Sequence, residues 1–288
     1  MRALYLKEDS HITLVVSWVR TTLRGAQEVL IASDSRLSGG GILDCSPKII
    51  QLPRSDAIMA FSGDTYFAYP MLTQVSEALN AFRPLRERVI DYNQMRTHVL
   101  SILNNMVTLY QNVIKGLDTP DAGFILAGYS WFNREFCIDQ IFFNHKMQKF
   151  AIRPSKKGIG NFGKVSFSGD WSKQAYKRLL KLLQERHGVT CVGKESTLER
   201  PFHMEPFEIL RDCLRETGEY DSIGGSPQII SVSQHMNSRQ TAVYWPNKEN
   251  GTPHLGGRPI FDNEYIDCWI LDPDTLDKSH QVLSQDKI

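Results

Sequence analysis

The elements predicted from this sequence come in blocks rather than in alternation, and that order limits the fold more than any other feature. Thr13-Leu-Val-Val-Ser-Trp-Val19 and Val29-Leu-Ile-Ala32 are rich in β-branched and aromatic residues and read as the arms of a hairpin. The polar stretch 20–28, containing Gly25, lies between them as a long loop. Lys48-Ile-Ile-Gln-Leu52 is a short extended segment ended by Pro53, and Ala57-Ile-Met-Ala-Phe61 is a buried strand stopping at Ser62-Gly63. Two helices follow. The first is expected over 65–82, with Asp64 as N-cap and Pro70 close to its first turn. The second carries Met95, Val99, Ile102, Leu103, Met106, Val107, Tyr110, Val113 and Ile114 at helical spacing and is closed by Gly116.

Strands return at 124–127, 136–144 and 149–152, and another ends at Phe167 before Ser168-Gly-Asp170. Helices are expected over 171–187, closed by Gly188, and over 206–217, before the strand Gln228-Ile-Ile-Ser-Val232. From Asn237 the chain carries Pro246, Pro253, Gly256-Gly257 and Pro259, and reads as irregular hairpins rather than a separate core. A doubly wound parallel sheet would alternate strand and helix throughout. Segregated blocks suit an α+β fold instead: a four-layer αββα sandwich, two antiparallel sheets between helix pairs, in one domain over 13–236 with a C-terminal extension, 237–288, packed on it.

Composition removes several classes of function. A formal net charge of +1 over 288 residues leaves no basic surplus to release counterions from nucleic acid, and no polybasic run to hold an anionic membrane. No apolar run approaches the roughly 20 residues that cross a bilayer, and the charged first ten residues lack the apolar core of a signal peptide. A cytoplasmic protein is expected. Its five cysteines (Cys45, Cys137, Cys191, Cys213, Cys268) are scattered and form no CxxC pair, which favours reduced thiols. The eight histidines show no HxxxH or HExxH spacing, so neither a metal nor another cofactor is implied.

Three segments carry a resemblance: Leu30-Ile-Ala-Ser-Asp34-Ser-Arg36, then Lys48-Ile-Ile, then Met59-Ala-Phe-Ser-Gly63. In order and spacing they resemble the first third of proteasome β-type subunits and their simpler bacterial relative, members of the N-terminal-nucleophile (Ntn) hydrolases. The likeness continues through Ile125-Leu-Ala-Gly-Tyr129, Ser168-Gly169 and Asp221-Ser-Ile-Gly-Gly225. It implies a threonine peptidase with Thr13 as nucleophile, Asp34 and Lys48 as the activating pair, and Gly63 as oxyanion donor. Ser168 and Asp221 match positions that hold the α-amine and relay protons. A prosegment, residues 1–12, would have to be removed. Subunits would form a homo-oligomeric ring enclosing the sites, acting on polypeptides fed by a partner such as an AAA+ unfoldase.

The chemistry explains why these residue types belong together. A threonine hydroxyl needs a base to attack a carbonyl, and a free α-amine, with a pKa of about 7.7–8.0, is basic at neutral pH. A lysine ammonium nearby stabilises a developing alkoxide, and an aspartate keeps that lysine charged and oriented. A backbone N–H at Gly63 donates to the oxyanion. Each residue also has an ordinary reading. Asp34 suits an ion pair with Arg36, Lys48 a solvated strand edge, and Gly63 a turn. Ser168 and Asp170 suit helix caps, and Asp221 a turn before Gly224-Gly225.

The match departs from the family at three points. Two strand registers are available, one placing Thr13 and the other Ile12 at the nucleophile position, and they exchange the faces of the strand. Ile12 stands where self-cleaving members carry glycine, and Gly224 where the family commonly has serine. The long tail is the third departure. Two further readings therefore accompany the peptidase: an unprocessed, inactive subunit serving as a scaffold, and an Ntn amidohydrolase of small amides.

Overall fold

The structure, a computed structural model, describes residues 13–22, 25–38, 41–109, 121–155, 159, 162–188, 201–219 and 221–283. The possible prosegment 1–12 lies outside them. In chain order the first elements are β1 (Val15–Thr21), β2 (Gln27–Ser33), β3 (Leu37–Ser38), β4 (Ile42–Leu43), β5 (Ile49–Gln51) and β6 (Ala57–Gly63). Helices α1 (Thr65–Ala81), α2 (Arg83–Arg86) and α3 (Tyr92–Val107) follow. Next come β7 (Ala122–Ser130), β8 (Glu135–Asn144), β9 (Lys149–Pro154) and β10 (Val165–Ser168), then α4 (Ser172–His187) and α5 (Glu205–Glu216). The rest is strand: β11 (Gln228–Ser233), β12 (Ser238–Trp245), β13 (Thr252–Leu255), β14 (Arg258–Pro259), β15 (Ile266–Leu271) and β16 (Lys278–Leu283).

The expected hairpin forms, with Trp18 opposite Leu30. Its ladder runs out to Thr21 and Gln27, so the connection is shorter than the polar stretch suggests. Arg20 sits opposite Glu28 and donates from Nε to Oε1 at 2.6 Å, and this cross-strand charge pair lets polar residues continue the strand. On one side of the hairpin lies β10, and on the other β11 followed by β12, β13 and β14; β15 runs parallel to β12 and pairs with β16. This sheet has nine strands. A second sheet, β5-β6-β7-β8-β9, has five, all antiparallel neighbours.

The expectation of a four-layer αββα sandwich, two antiparallel sheets between helix pairs, is therefore corrected. Among the described residues, strand makes up 38% and helix 27%, the helices number five, and the structure is mostly antiparallel β-sheet dominated by the nine-stranded sheet. The physical reason lies in the tail. Its prolines and glycines break the alternation that marks strands, yet β12 to β16 add five strands to the sheet, two of them, β12 and β15, in a parallel pair. Pro259 sits on the edge strand β14, where a missing N–H costs least, and Pro253 lies on β13 between β12 and β14. Val243 and Leu271 carry the tail into the main core.

Apolar side chains gather in three clusters. Leu14, Val16, Trp18, Leu30 and Ala32 meet Leu179, Leu183, Phe207 and Leu210 from α4 and α5. Met59, Phe61, Phe124 and Leu126 meet Met71, Val75, Met95 and Val99 from α1 and α3. Val15, Ile31 and Ile230 meet Ile58, Ala60, Ile125 and Ile138. Fully burying a side chain of this size contributes about 1.5–3 kcal/mol.

Asp64 caps α1 as expected, accepting the Tyr66 N–H at 2.9 Å, and Pro70 is tolerated inside the helix. Helix α3 ends at Val107, earlier than the periodicity predicts; Tyr110, Val113, Ile114 and Gly116 lie outside the described residues. Gly188 ends α4 at φ 85°, but the residue at its N-terminal cap is Trp171, not Asp170, and no side chain caps it. Among the described residues, no helix is long and apolar enough to cross a membrane.

Candidate active site

Thr13 lies two residues before the start of β1, Asp34 immediately follows β2, and Lys48 immediately precedes β5. The first two come together because β1 and β2 are neighbours: Val15 lies opposite Ser33, which brings the ends of the hairpin side by side. Asp34 N–H donates to Leu14 O at 3.3 Å, and Leu14 N–H donates to Asp34 Oδ1 at 3.3 Å. Lys48 arrives from the other sheet. Its Nζ donates to Asp34 Oδ2 at 2.8 Å and to Thr13 Oγ1 at 3.4 Å. Relative exposures are 4% for Thr13, 0% for Asp34 and 1% for Lys48, so all three groups are withdrawn from water.

This arrangement bears on the ordinary readings of two of these residues. Lys48 is no solvated edge lysine. Arg36 does not pair with Asp34 through its side chain; its backbone N–H donates to Asp34 Oδ2 at 3.2 Å, while its guanidinium holds Asp44 at 2.6 and 2.7 Å. Burial pushes the Asp34 carboxyl above the ordinary carboxylate range, opposed by the Lys48 charge and by the hydrogen bonds from Lys48, Leu14 and Arg36. Thr13 Oγ1 is within reach of Lys48, while Ile12, the other residue considered for the nucleophile position, lies outside the described residues.

Ser168 and Gly63 lie on the neighbouring wall. Ser168 ends β10, opposite Val15, and its Oγ is 2.7 Å from Ser62 Oγ. Gly169, at φ 95°, packs so closely on the Thr13 carbonyl that a Cβ there would overlap it, lying 2.6 Å from the carbonyl carbon. Gly63 ends β6 at φ 93°; a Cβ there would overlap the Asp121 carbonyl and sit 3.1 Å from Ala122 Cα. Both glycines are therefore required sterically as well as by backbone angle. Ser62, Gly63, Ser168 and Gly169 line one cleft of about 310 Å³ with Asp121, Gln140, His145 and Asp170.

Asp221 is not brought into this group by any of its hydrogen bonds. Its exposed carboxylate accepts the Gly218 N–H at 2.6 Å, and its carbonyl accepts from Arg36 Nη1 at 2.8 Å. That is the turn role its neighbours suggest. At Gly224 the Arg36 guanidinium fills the space: a Cβ there would overlap Cζ and Nε and lie 2.7 Å from Nη2.

One contributor escapes sequence reasoning. Gln228 opens β11 and is 3% exposed; its Oε1 accepts the Lys48 N–H at 3.0 Å, and its Nε2 donates to Asp34 O at 3.2 Å and Ser46 O at 2.6 Å. One amide thus ties together the backbones that carry both charged residues. The available signal was a glutamine at the head of an otherwise apolar strand. Among the described residues, no group of three or more His, Cys, Asp or Glu side chains is placed to hold a metal ion.

Compared with known proteins, the sequence matches no family model and no curated protein.

Proposed function

We propose that this chain is a threonine-type endopeptidase of the proteasome β-subunit kind, an Ntn hydrolase acting after removal of residues 1–12. The observation that carries the reading is the buried Thr13–Lys48–Asp34 contact, with Lys48 Nζ 3.4 Å from the hydroxyl and 2.8 Å from the carboxylate. A charged pair so withdrawn from water is expensive to maintain for stability alone, and a hydrophobic pair would serve as well. Beside a hydroxyl it has a chemical use.

Cleavage before Thr13 would free its α-amine, which takes the hydroxyl proton as Oγ1 attacks a peptide carbonyl. Lys48 stabilises the alkoxide, and Asp34 holds Lys48 in place. Gly63 N–H donates to the oxyanion, and Ser168 orients the amine. The amine then delivers its proton to the leaving amine, and water hydrolyses the ester. Assembly into a ring and delivery of polypeptide by an AAA+ unfoldase belong to this proposal and rest on the resemblance alone.

A second reading is an unprocessed, non-catalytic subunit with a scaffolding role. Supporting it are the near-complete burial of Thr13 and the β-branched Ile12 before it, a poor residue for the backbone geometry of self-cleavage. Intact-mass measurement with a threonine-directed epoxyketone separates the two. A chain starting at Thr13 that gains one inhibitor mass supports the peptidase. A chain that retains residues 1–12 and stays unlabelled favours the scaffold.

A further inference from the structure

Two buried hydroxyls meet where the strand ending at Gly63 touches the strand beside the nucleophile. Ser62 stands next to Gly63 on β6, and Ser168 ends β10 opposite Val15. Their oxygens are 2.7 Å apart, and the two residues are only 3% and 7% exposed. The contact joins the two sheets, since β6 belongs to the five-stranded one and β10 to the nine-stranded one.

The surroundings are shaped for this contact. Gly123 lies directly opposite Ser62 on β7, and a Cβ there would stand 3.2 Å from each hydroxyl oxygen, closer than such atoms ordinarily pack. A glycine leaves the two oxygens room to meet. From β8, Gln140 Nε2 donates to Phe167 O at 2.8 Å and fixes the backbone just before Ser168. Gly169, just after it, packs on the Thr13 carbonyl. The Ser168 hydroxyl is thus set from both sides, and it lines the same cleft as Ser62 and Gly63.

At this distance either hydroxyl can donate to the other, and the direction matters for a base beside Ser168. A hydroxyl carries one proton and two lone pairs. With its proton free, Ser168 can donate to the lone pair of a Thr13 amine, the same lone pair that must take the Oγ1 proton. With its proton given to Ser62, the Ser168 oxygen meets the amine only as an acceptor. An amine N–H then turns towards Ser168, and the lone pair is left for Oγ1. The same bond favours the ammonium formed on proton transfer, because it strengthens when its donor is charged.

We propose that Ser62 is a positioning residue for the threonine-type hydrolysis: it accepts the Ser168 proton and so holds the freed Thr13 amine with its lone pair towards Oγ1. This role rests on the peptidase reading and adds to it the residue that sets the direction of the base. Ser62 acts through Ser168 rather than on the substrate. Gly123 serves the same end by keeping the space open.

The test expresses the full chain and follows labelling of Thr13 by a threonine-directed epoxyketone over a pH series, scored per chain that begins at Thr13. Ser62→Ala should lower the limiting rate at high pH about tenfold and move the pH midpoint down by about one unit, since the released Ser168 proton stabilises the neutral amine. The epoxyketone concentration giving half the limiting rate should stay the same. Ser62→Thr keeps the acceptor oxygen and should restore rate and midpoint to within about twofold of the parent. Gly123→Ala retains both hydroxyls but presses on the pair, and should shift rate and midpoint in the same direction as Ser62→Ala. A merely structural role would change urea midpoints and leave the pH midpoint where it is. A labelled parent with an unmoved rate and pH midpoint in Ser62→Ala would overturn the role of Ser62 and leave the peptidase reading standing. A parent that retains residues 1–12 and takes no label would remove both.

Discussion

The guanidinium of Arg36 occupies the volume that a side chain at Gly224 would need. From there it donates to the carbonyls of Gly218 at 3.0 Å, Glu219 at 2.9 Å and Asp221 at 2.8 Å while gripping Asp44 with two bonds. Its own backbone N–H meanwhile reaches Asp34. Glycine at 224 and arginine at 36 therefore form one device, which clamps the 218–225 turn to the segment leading into Lys48. The absent hydroxyl at 224 leaves no void; an arginine fills its place.

Gly224→Ser should accordingly be destabilising by about 1–3 kcal/mol, the range for forcing extra atoms into a packed site. Urea unfolding of Gly224→Ser, Arg36→Ala and the double variant measures it. Once Arg36 is shortened the serine meets no guanidinium, so the double variant should be more stable than the sum of the singles. Strict additivity would show that the two residues do not compete for this space.

Removing one partner of the Lys48–Asp34 pair leaves an uncompensated buried charge. Asp34→Leu and Lys48→Met should each cost about 3–5 kcal/mol, and the double variant should recover much of that loss. Denaturant midpoints test this without reference to catalysis. Under the peptidase reading both single variants should also remain uncleaved and unlabelled at Thr13. Full labelling of Lys48→Met would detach the lysine from the chemistry.

Asp221→Asn separates the resemblance from the geometry. By family position the carboxylate should matter to the amine at Thr13; by contact it serves the Gly218 turn and is exposed. The expected outcome is labelling at Thr13 within about twofold of the parent, since an asparagine oxygen still accepts the turn N–H. A loss of labelling without loss of stability would restore Asp221 to the site.

The thiols offer a check on the core. Burial pushes Cys137 up to about 12 and Cys213 up to about 11, whereas Cys45 is exposed. Since the thiolate is the reactive form, a brief maleimide pulse near pH 8 should label Cys45 and spare Cys137 and Cys213 until denaturant is added. Peptide mapping after the pulse reads each site separately.

What was legible in the sequence followed from strong local patterns. The β1–β2 hairpin, the Asp64 cap and the strand ending at Gly63 each rest on residues whose preference is local, and each is found. Thr13, Asp34 and Lys48 were picked out by ordered short motifs, and Lys48 Nζ lies within hydrogen-bond reach of the other two. That the tail's hairpins extend the main sheet was not foreseen, because pairing between distant strands decides it. Thr241 has neighbours at both Ile229 and Trp269, and nothing near Thr241 signals either. Gln228 was missed for the same reason: its partners lie 180 to 194 residues away.

Lys278 should leave a signature in the pH dependence of stability. Its pKa falls from an ordinary 10.5 to about 8 on folding, so between those values the unfolded chain binds more protons than the folded one. Stability contributed by this residue therefore rises with pH across that window, because the folded state sheds an unfavourable charge that the unfolded state keeps. Below about 8 both states are charged and the folded state bears the full cost, about 2 kcal/mol after allowance for solvent at its partly exposed stem. Lys278→Met removes the charge, so it should be more stable than the parent near pH 7 and lose that advantage towards pH 10.5. Parallel stability curves for parent and variant from pH 7 to 10 would place the Lys278 ammonium in water.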